Sequence, residues 1–93
     1  MAVSSSVQPS PDIQQYNRFK ARHPECLLLF LVGDFYEAFA DDAVKLSKTL
    51  GMTLMTRSSD GVALCGFVKG TIDRHLKTLV SKGHRVAICE QIK

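Results

Sequence analysis

An α/β fold, a small mixed β-sheet flanked by about three α-helices, is what this 93-residue sequence predicts. Three observations carry that expectation. Residues Cys26 to Val32 form an unbroken run of seven apolar residues bounded by Pro24 and Gly33, which suits a central strand covered on both faces. Stretches with apolar residues at helical spacing alternate with short apolar runs along the chain. Between the second and third short runs lies Arg57-Ser58-Ser59-Asp60-Gly61, a polar hairpin-like turn with a glycine available for positive φ. Strands alternating with helices, plus one hairpin, imply a sheet with both parallel and antiparallel neighbours.

The elements follow in order. Residues 2–11, AVSSSVQPSP, are rich in serine and proline, so residues 1–11 are expected to be a disordered tail and residues 12–93 the folded domain. Asp12 is suited to cap a first helix running to Arg22, with Ile13, Tyr16, Phe19 and Lys20 along one stripe. His23-Pro24 ends it, because the residue before proline avoids the α region. After the strand Cys26–Val32, Gly33 allows a sharp exit and Asp34 is positioned to cap a second helix. Phe35, Phe39, Ala43, Leu46 and Leu50 give that helix its apolar stripe, and Gly51 fits the left-handed position that ends it. Met52 to Thr56 reads as a second strand and Val62 to Phe67 as a third. Thr71 is expected to cap a third helix with Ile72, Leu76, Leu79 and Val80 inward, closing at Gly83, and Arg85 to Cys89 is a fourth strand.

Composition narrows the function classes. Twelve Lys and Arg against nine Asp and Glu give a net charge of +3, which permits nucleic-acid binding without demanding it, so the local placement of charge matters more than the total. The cysteines Cys26, Cys65 and Cys89 are odd in number, lie in apolar runs and form no CxxC pair. Reduced thiols in a cytoplasmic protein explain them best, and the three histidines lie at no zinc-ligand spacing. No run reaches the ~18–20 apolar residues of a membrane span, and residues 1–11, with no basic region ahead of an apolar stretch, are not expected to be a secretory signal. No phosphate-binding GxxxxGK[ST] loop occurs, and Ser58-Ser59 has no histidine partner in the sequence. Asp34, Glu37, Asp41 and Asp42 form an acidic cluster in which Glu37 and Asp41 would share a helix face and could hold Mg²⁺. A solvated first turn favoured by the helix dipole is the simpler reading of the same residues. No cofactor and no metal is expected.

The richest motif is Gly33-Asp34-Phe35-Tyr36-Glu37, directly after the apolar run. Phe35 offers a flat π-face for wedging or stacking, and Glu37 offers a hydrogen-bonding carboxylate two residues away, so the pair can probe a nucleic-acid base. The competing reading places Phe35 in the core and Glu37 in a first helical turn. From Gln15 to Ile92 the chain resembles the N-terminal, mismatch-recognition domain of the MutS family. The resemblance rests on QQYNRFKARHPECLLLF, GDFYEAFADDAVKLSKTLG, TLMTR and LVSKGHRVAICEQI, in the family's order and almost at its spacing.

The resemblance implies a mixed sheet flanked by helices and a DNA-binding sensor without catalysis of its own. It assigns to Phe35 the ring that enters from the minor groove and stacks on a mispaired base, and to Glu37 the hydrogen bond to that base. It implies duplex DNA with a mismatch or small loop as the partner, other mismatch repair proteins alongside, and a cytoplasmic place, at the nucleoid in a bacterium. The family's ATPase lies in a separate C-terminal region. Arg57 matches a basic residue after the family's second strand and can meet a phosphate or sugar, and Lys69, in the loop Gly66 to Gly70, is a second candidate for contact with the DNA backbone. That loop reads GFVKGT where the family often has a GIPYHA-like stretch, and LVGDFYE stands where RMGDFYE is common. The family domain also continues past CEQI with a further strand, so a sheet edge suited to self-association or strand addition is the alternative reading, a protein-interaction domain with little DNA binding.

Overall fold

The computed structural model describes residues 11–90. Residues 1–10 of the expected tail, 1–11, lie outside them, and Pro11 is the first residue of a helix. Helix α1 (Pro11–Arg22) leads into β1 (Cys26–Val32), β2 (Phe35–Phe39), α2 (Ala40–Leu50), β3 (Met55–Thr56), β4 (Ala63–Val68), α3 (Ile72–Ser81) and β5 (Arg85–Glu90), with a 3₁₀ turn at Lys69–Thr71 ahead of α3. The α/β class holds: one five-stranded mixed sheet, in the order β3-β4-β2-β1-β5, carries three helices. The β1–β5 pairing is parallel and the other three are antiparallel.

β1 is interior to the sheet, and its alternation loads both layers. Leu27 and Leu29 pack with Ala38, Ala43, Leu46, Cys65, Phe67 and Leu79, beneath α2 and α3. Leu28 and Phe30 pack on the opposite face with Ile13, Tyr16 and Phe39, beneath α1. A run buried on both faces has no polar alternation, which is why seven consecutive apolar residues mark it. On the α1 side the aromatic rings meet at tilted or edge-on angles, Tyr16 with Phe39 at 5.9 Å between centroids and Phe30 with Phe39 at 5.8 Å, as ring quadrupoles favour.

The largest departure from the sequence reading lies at residues 35–39. They form strand β2, not the first turns of a helix, so the sheet has five strands where four were expected. Gly33-Asp34 is the two-residue turn of a hairpin that pairs Val32 with Phe35 and Phe30 with Glu37. Gly33 sits at φ 61°, the glycine-first arrangement that matches the twist of paired strands. Phe35 and Phe39 are therefore one strand face, not one helical stripe, and Asp34 caps no helix. Helix α2 begins directly at Ala40, whose φ of 56° is the only positive value at a non-glycine among the described residues. A methyl side chain tolerates that left-handed turn better than a branched one.

Smaller corrections have local causes. Asp12 lies inside α1, which starts at Pro11, a residue preorganised for the first helical position. The second expected strand shrinks to Met55–Thr56 because Met52 is tied to the end of α2, its N–H donating to Ser47 O and its carbonyl accepting from Ser47 Oγ. Thr71 makes no cap to α3, since its hydroxyl donates to Val68 O at 2.8 Å. Val80 is 62% exposed, falling ~100° around the helix from buried Leu79. Gly51 and Gly83 do end their helices in the left-handed region, and behind Gly83 the paired bonds Gly83 N–H to Val80 O and His84 N–H to Leu79 O close a Schellman motif.

One polar group ties the layers together. Asp42, fully buried on α2, accepts hydrogen bonds from Tyr16 Oη (3.0 Å), Lys20 Nζ (2.9 Å) and the Leu28 N–H (3.1 Å). It thus joins both α1 and β1 to α2. Lys20 also donates to Cys26 O.

Candidate nucleic-acid interface

Strand geometry sets what β2 can present. Successive side chains alternate faces, so Tyr36 and Ala38 turn towards α2 and α3, where Tyr36 meets Phe67 at 5.9 Å. Phe35, Glu37 and Phe39 share the other face. Phe39 is sealed beneath α1, whereas Phe35, beside the hairpin turn, is 48% exposed. The conflict between a core and a surface Phe35 is thereby resolved: the ring lies beyond the helical cover, on a rigid strand end.

Glu37 lies between them, half-buried. With Phe35, Met55, Leu64 and Gly66 it lines a groove of about 260 Å³. Across the sheet Glu37 is paired with Gly66, and Phe35 with Val68. A Cβ at Gly66 would stand 2.7 Å from Tyr36 O and 3.3 Å from Glu37 Cγ, so only glycine permits this approach of β4 to β2. Met55 and Val68, 51% and 52% exposed, put apolar surface on either side of the carboxylate. Gly66, Met55, Leu64 and Val68 are members of this surface that the sequence reading missed. A glycine inside an apolar strand pattern was the available sign of a close backbone approach.

The two basic residues expected here occupy different settings. Lys69 is exposed, and its backbone N–H donates to Asp34 O at 2.8 Å, which places it beside the turn that carries Phe35. Arg57 pairs with Asp60 at 2.6 Å and lies over the Phe39 ring, 5.6 Å from its centroid. Its guanidinium therefore rests at the Phe39 end of the Phe35-Glu37-Phe39 face, part of its charge already answered. The structure thus brings Phe35, Glu37 and Lys69 to one end of the sheet and sets Arg57 further along the strand.

The acidic cluster does not assemble. Glu37 stands on a strand, Asp41 and Asp42 on α2, and Asp42 is consumed by its three donors. The i, i+4 pairing of Glu37 with Asp41 that a magnesium site would use is lost with the helix. Elsewhere, burial pushes the thiols of Cys65 and Cys89 above their ordinary value, the Cys89 shift reinforced by Cys26. Burial, then Arg74, lowers His75, whose ring packs 4.5 Å from Phe67. Cys65 and His75 lie on the opposite face of the sheet from Phe35, whereas Cys89 lies on the Phe35 face, packed with Phe30 and Phe39 rather than at the hairpin end. No helix among the described residues is long and apolar enough to cross a membrane.

Comparison with known proteins identifies the family. A family model described as MutS domain I matches residues 10–93. The DNA mismatch repair protein MutS of Salinibacter ruber is 47% identical over 98 aligned positions, covering all of this chain and 11% of that protein. The MutS of Methanothrix thermoacetophila is 46% identical over 91 positions, covering 94% of this chain and 11% of its own length. That of Aquifex pyrophilus is 43% identical over 88 positions, covering 90% and 10%. The chain spans about a tenth of the length of these curated relatives. With the match running from residue 10 to residue 93, the chain belongs to the MutS domain I family.

Proposed function

We propose that this domain senses mismatched or looped base pairs in duplex DNA, with Phe35 as the wedge and Glu37 as the group that tests the wedged base. The observation that carries the reading is the half-exposed Phe35 ring at a strand end, with the Glu37 carboxylate two residues along the same face. A hairpin strand held by pairing on both sides fixes both groups before contact, so little side-chain freedom is lost on binding.

The selectivity is physical. Opening a base step costs a few kcal/mol, and a mispaired step costs less, so a ring that must be inserted selects weak pairing over sequence. Phosphates repel the Glu37 carboxylate, which penalises ordinary duplex unless a base hydrogen bond compensates. Lys69 supplies a phosphate contact beside the turn, and Arg57 a second further along the face. The domain performs no chemistry on the DNA in this reading. With so few cations on the face, its affinity in isolation is weak and falls steeply with salt. Larger assemblies of mismatch repair proteins would supply the remaining grip.

Fluorescence anisotropy at low salt, with matched and single-mismatch duplexes, tests the reading. Stacking is worth about 1–3 kcal/mol per base, so Phe35→Ala should weaken mismatch binding by roughly 5- to 150-fold and leave matched duplex nearly unchanged. Equal binding of both duplexes, unaltered by Phe35→Ala, would remove the wedge and leave a protein-interaction surface as the better reading.

A further inference from the structure

The turn between α1 and β1 lies at the opposite end of β1 from Phe35, seven residues or ~20 Å of strand away. It gathers three different donors. One ligand atom each from His23, Glu25 and Cys26 lies within 4.8 Å of the other two. We propose that this His23-Pro24-Glu25-Cys26 turn binds a borderline-soft divalent transition-metal ion of the Zn²⁺ type, through imidazole, carboxylate and thiolate.

The spacing is close to what such an ion needs. Donors about 2.0–2.3 Å from a tetrahedral zinc lie about 3.3–3.8 Å from one another. Cys26 Sγ and Glu25 Oε2 already stand 3.8 Å apart, and the widest separation needs about 1 Å of closure, within reach of side-chain rotation at the exposed His23 and Glu25. The backbone is held in advance. The Cys26 N–H donates to His23 O at 3.0 Å, the His23 N–H donates to Phe19 O at 2.9 Å, and Cys26 O accepts from Lys20. Pro24 removes one further degree of freedom between the donors.

Donor type and field point to the same class of ion. A thiolate with an imidazole favours Zn²⁺, Co²⁺ or Ni²⁺ over the oxygen-seeking Mg²⁺ and Ca²⁺. The turn follows directly on the C-terminal end of α1 at Arg22, where the helix dipole is negative and welcomes a cation. The ammonium nearest in the bonding network, Lys20, is neutralised by Asp42 at 2.9 Å. On binding, the Cys26 sulfur loses its proton to solvent as the metal–sulfur bond forms, and no electron is transferred. Three protein donors leave a fourth position for water. The ion would brace the end of α1 against the first residue of β1, and it would stabilise the domain by mass action. No histidine-pair spacing announces the site, because a single histidine and a tight turn supply it.

Co²⁺ is the probe. The 93-residue chain, reduced and freed of metal, is titrated with Co²⁺ and followed by thiolate-to-cobalt charge-transfer absorption. One equivalent should saturate the band and Zn²⁺ should bleach it. Cys65→Ala and Cys89→Ala should keep it, and Cys26→Ser should lose it. His23→Gln and Glu25→Gln change exposed residues, so folding is preserved, and each should weaken apparent affinity by ~10-fold or more. Zn²⁺ should raise Tm in the wild type and not in His23→Gln. Absence of the band in the wild type, or its survival at full strength in Cys26→Ser or in both exposed variants, overturns the proposal. DNA binding does not enter any of these readouts.

Discussion

Replacing Asp42 with alanine probes the joint that ties α1 and β1 to α2, beside strand β2. The carboxylate is fully buried and holds three donors, Tyr16 Oη, Lys20 Nζ and the Leu28 N–H. Its removal strands two of them in the interior, since Leu28 is fully buried and Tyr16 is 5% exposed. Each unsatisfied donor costs about 1–3 kcal/mol. Lys20 retains 23% side-chain exposure and can turn to water, so its share is discounted. The two stranded donors together come to about 2–6 kcal/mol, which brackets the ~3–5 kcal/mol usual for breaking a buried pair and is a large part of the ~5–15 kcal/mol that holds a small domain together. Urea denaturation followed by circular dichroism measures it, and for a loss of ~3–5 kcal/mol with a slope of ~1–1.5 kcal/mol/M the midpoint should fall by roughly 2–5 M. Lys20→Met in parallel should cost distinctly less than Asp42→Ala. A double-mutant cycle with Tyr16→Phe should be non-additive, because both changes break the same bond. A loss below about 1 kcal/mol for Asp42→Ala, or strict additivity with Tyr16→Phe, would show that Asp42 does not join these elements. The effect bears on the proposed function because Tyr16 also packs on Phe39, the buried end of the strand that carries Phe35.

Two further outcomes are expected. Gly66→Ala places a Cβ 2.7 Å from Tyr36 O and against Glu37 Cγ; it should cost about 1–3 kcal/mol in chemical denaturation and reduce the matched-to-mismatched Kd ratio in anisotropy, and an unchanged ratio would mean that the Glu37 placement is immaterial to selectivity. Tyr16 is raised above its ordinary value of 10.0, first by burial and then by Asp42; its neutral form is the one the fold favours, so this stability is complete below pH ~10 and falls as pH rises towards the folded value, by at most ~1.4 kcal/mol per unit. Tyr16→Phe should flatten that alkaline decline in pH-dependent denaturation, and an identical decline in the variant would assign it to other groups.

Local chemistry determined much of this protein. Uninterrupted apolar residues from Cys26 to Val32, short and bounded by Pro24 and Gly33, pointed to a covered strand, and the glycines at 51 and 83 stop helices because a left-handed backbone is cheap there. The motif on which the proposed function rests, Phe35 and Glu37, was legible as a pair of groups, and the family was legible with it. Their setting was not. Phe35, Phe39, Ala43, Leu46 and Leu50 fit a helical period, while Gly33-Asp34 between two apolar runs fits a hairpin, and the two signals overlap in five residues. The choice was made by partners distant in the chain: residues 35–39 pair with residues 64–68 as well as with β1, and a ladder on both sides outweighs local periodicity. Asp42 was hidden for a similar reason. An acidic residue in a first helical turn looks solvated until Tyr16, Lys20 and the Leu28 N–H, from two other elements, close around it. Sequence decides which groups a strand can offer; only the tertiary pairing decides which of them, Phe35 rather than Phe39, is left facing outward, because cover by α1 stops short of the hairpin end.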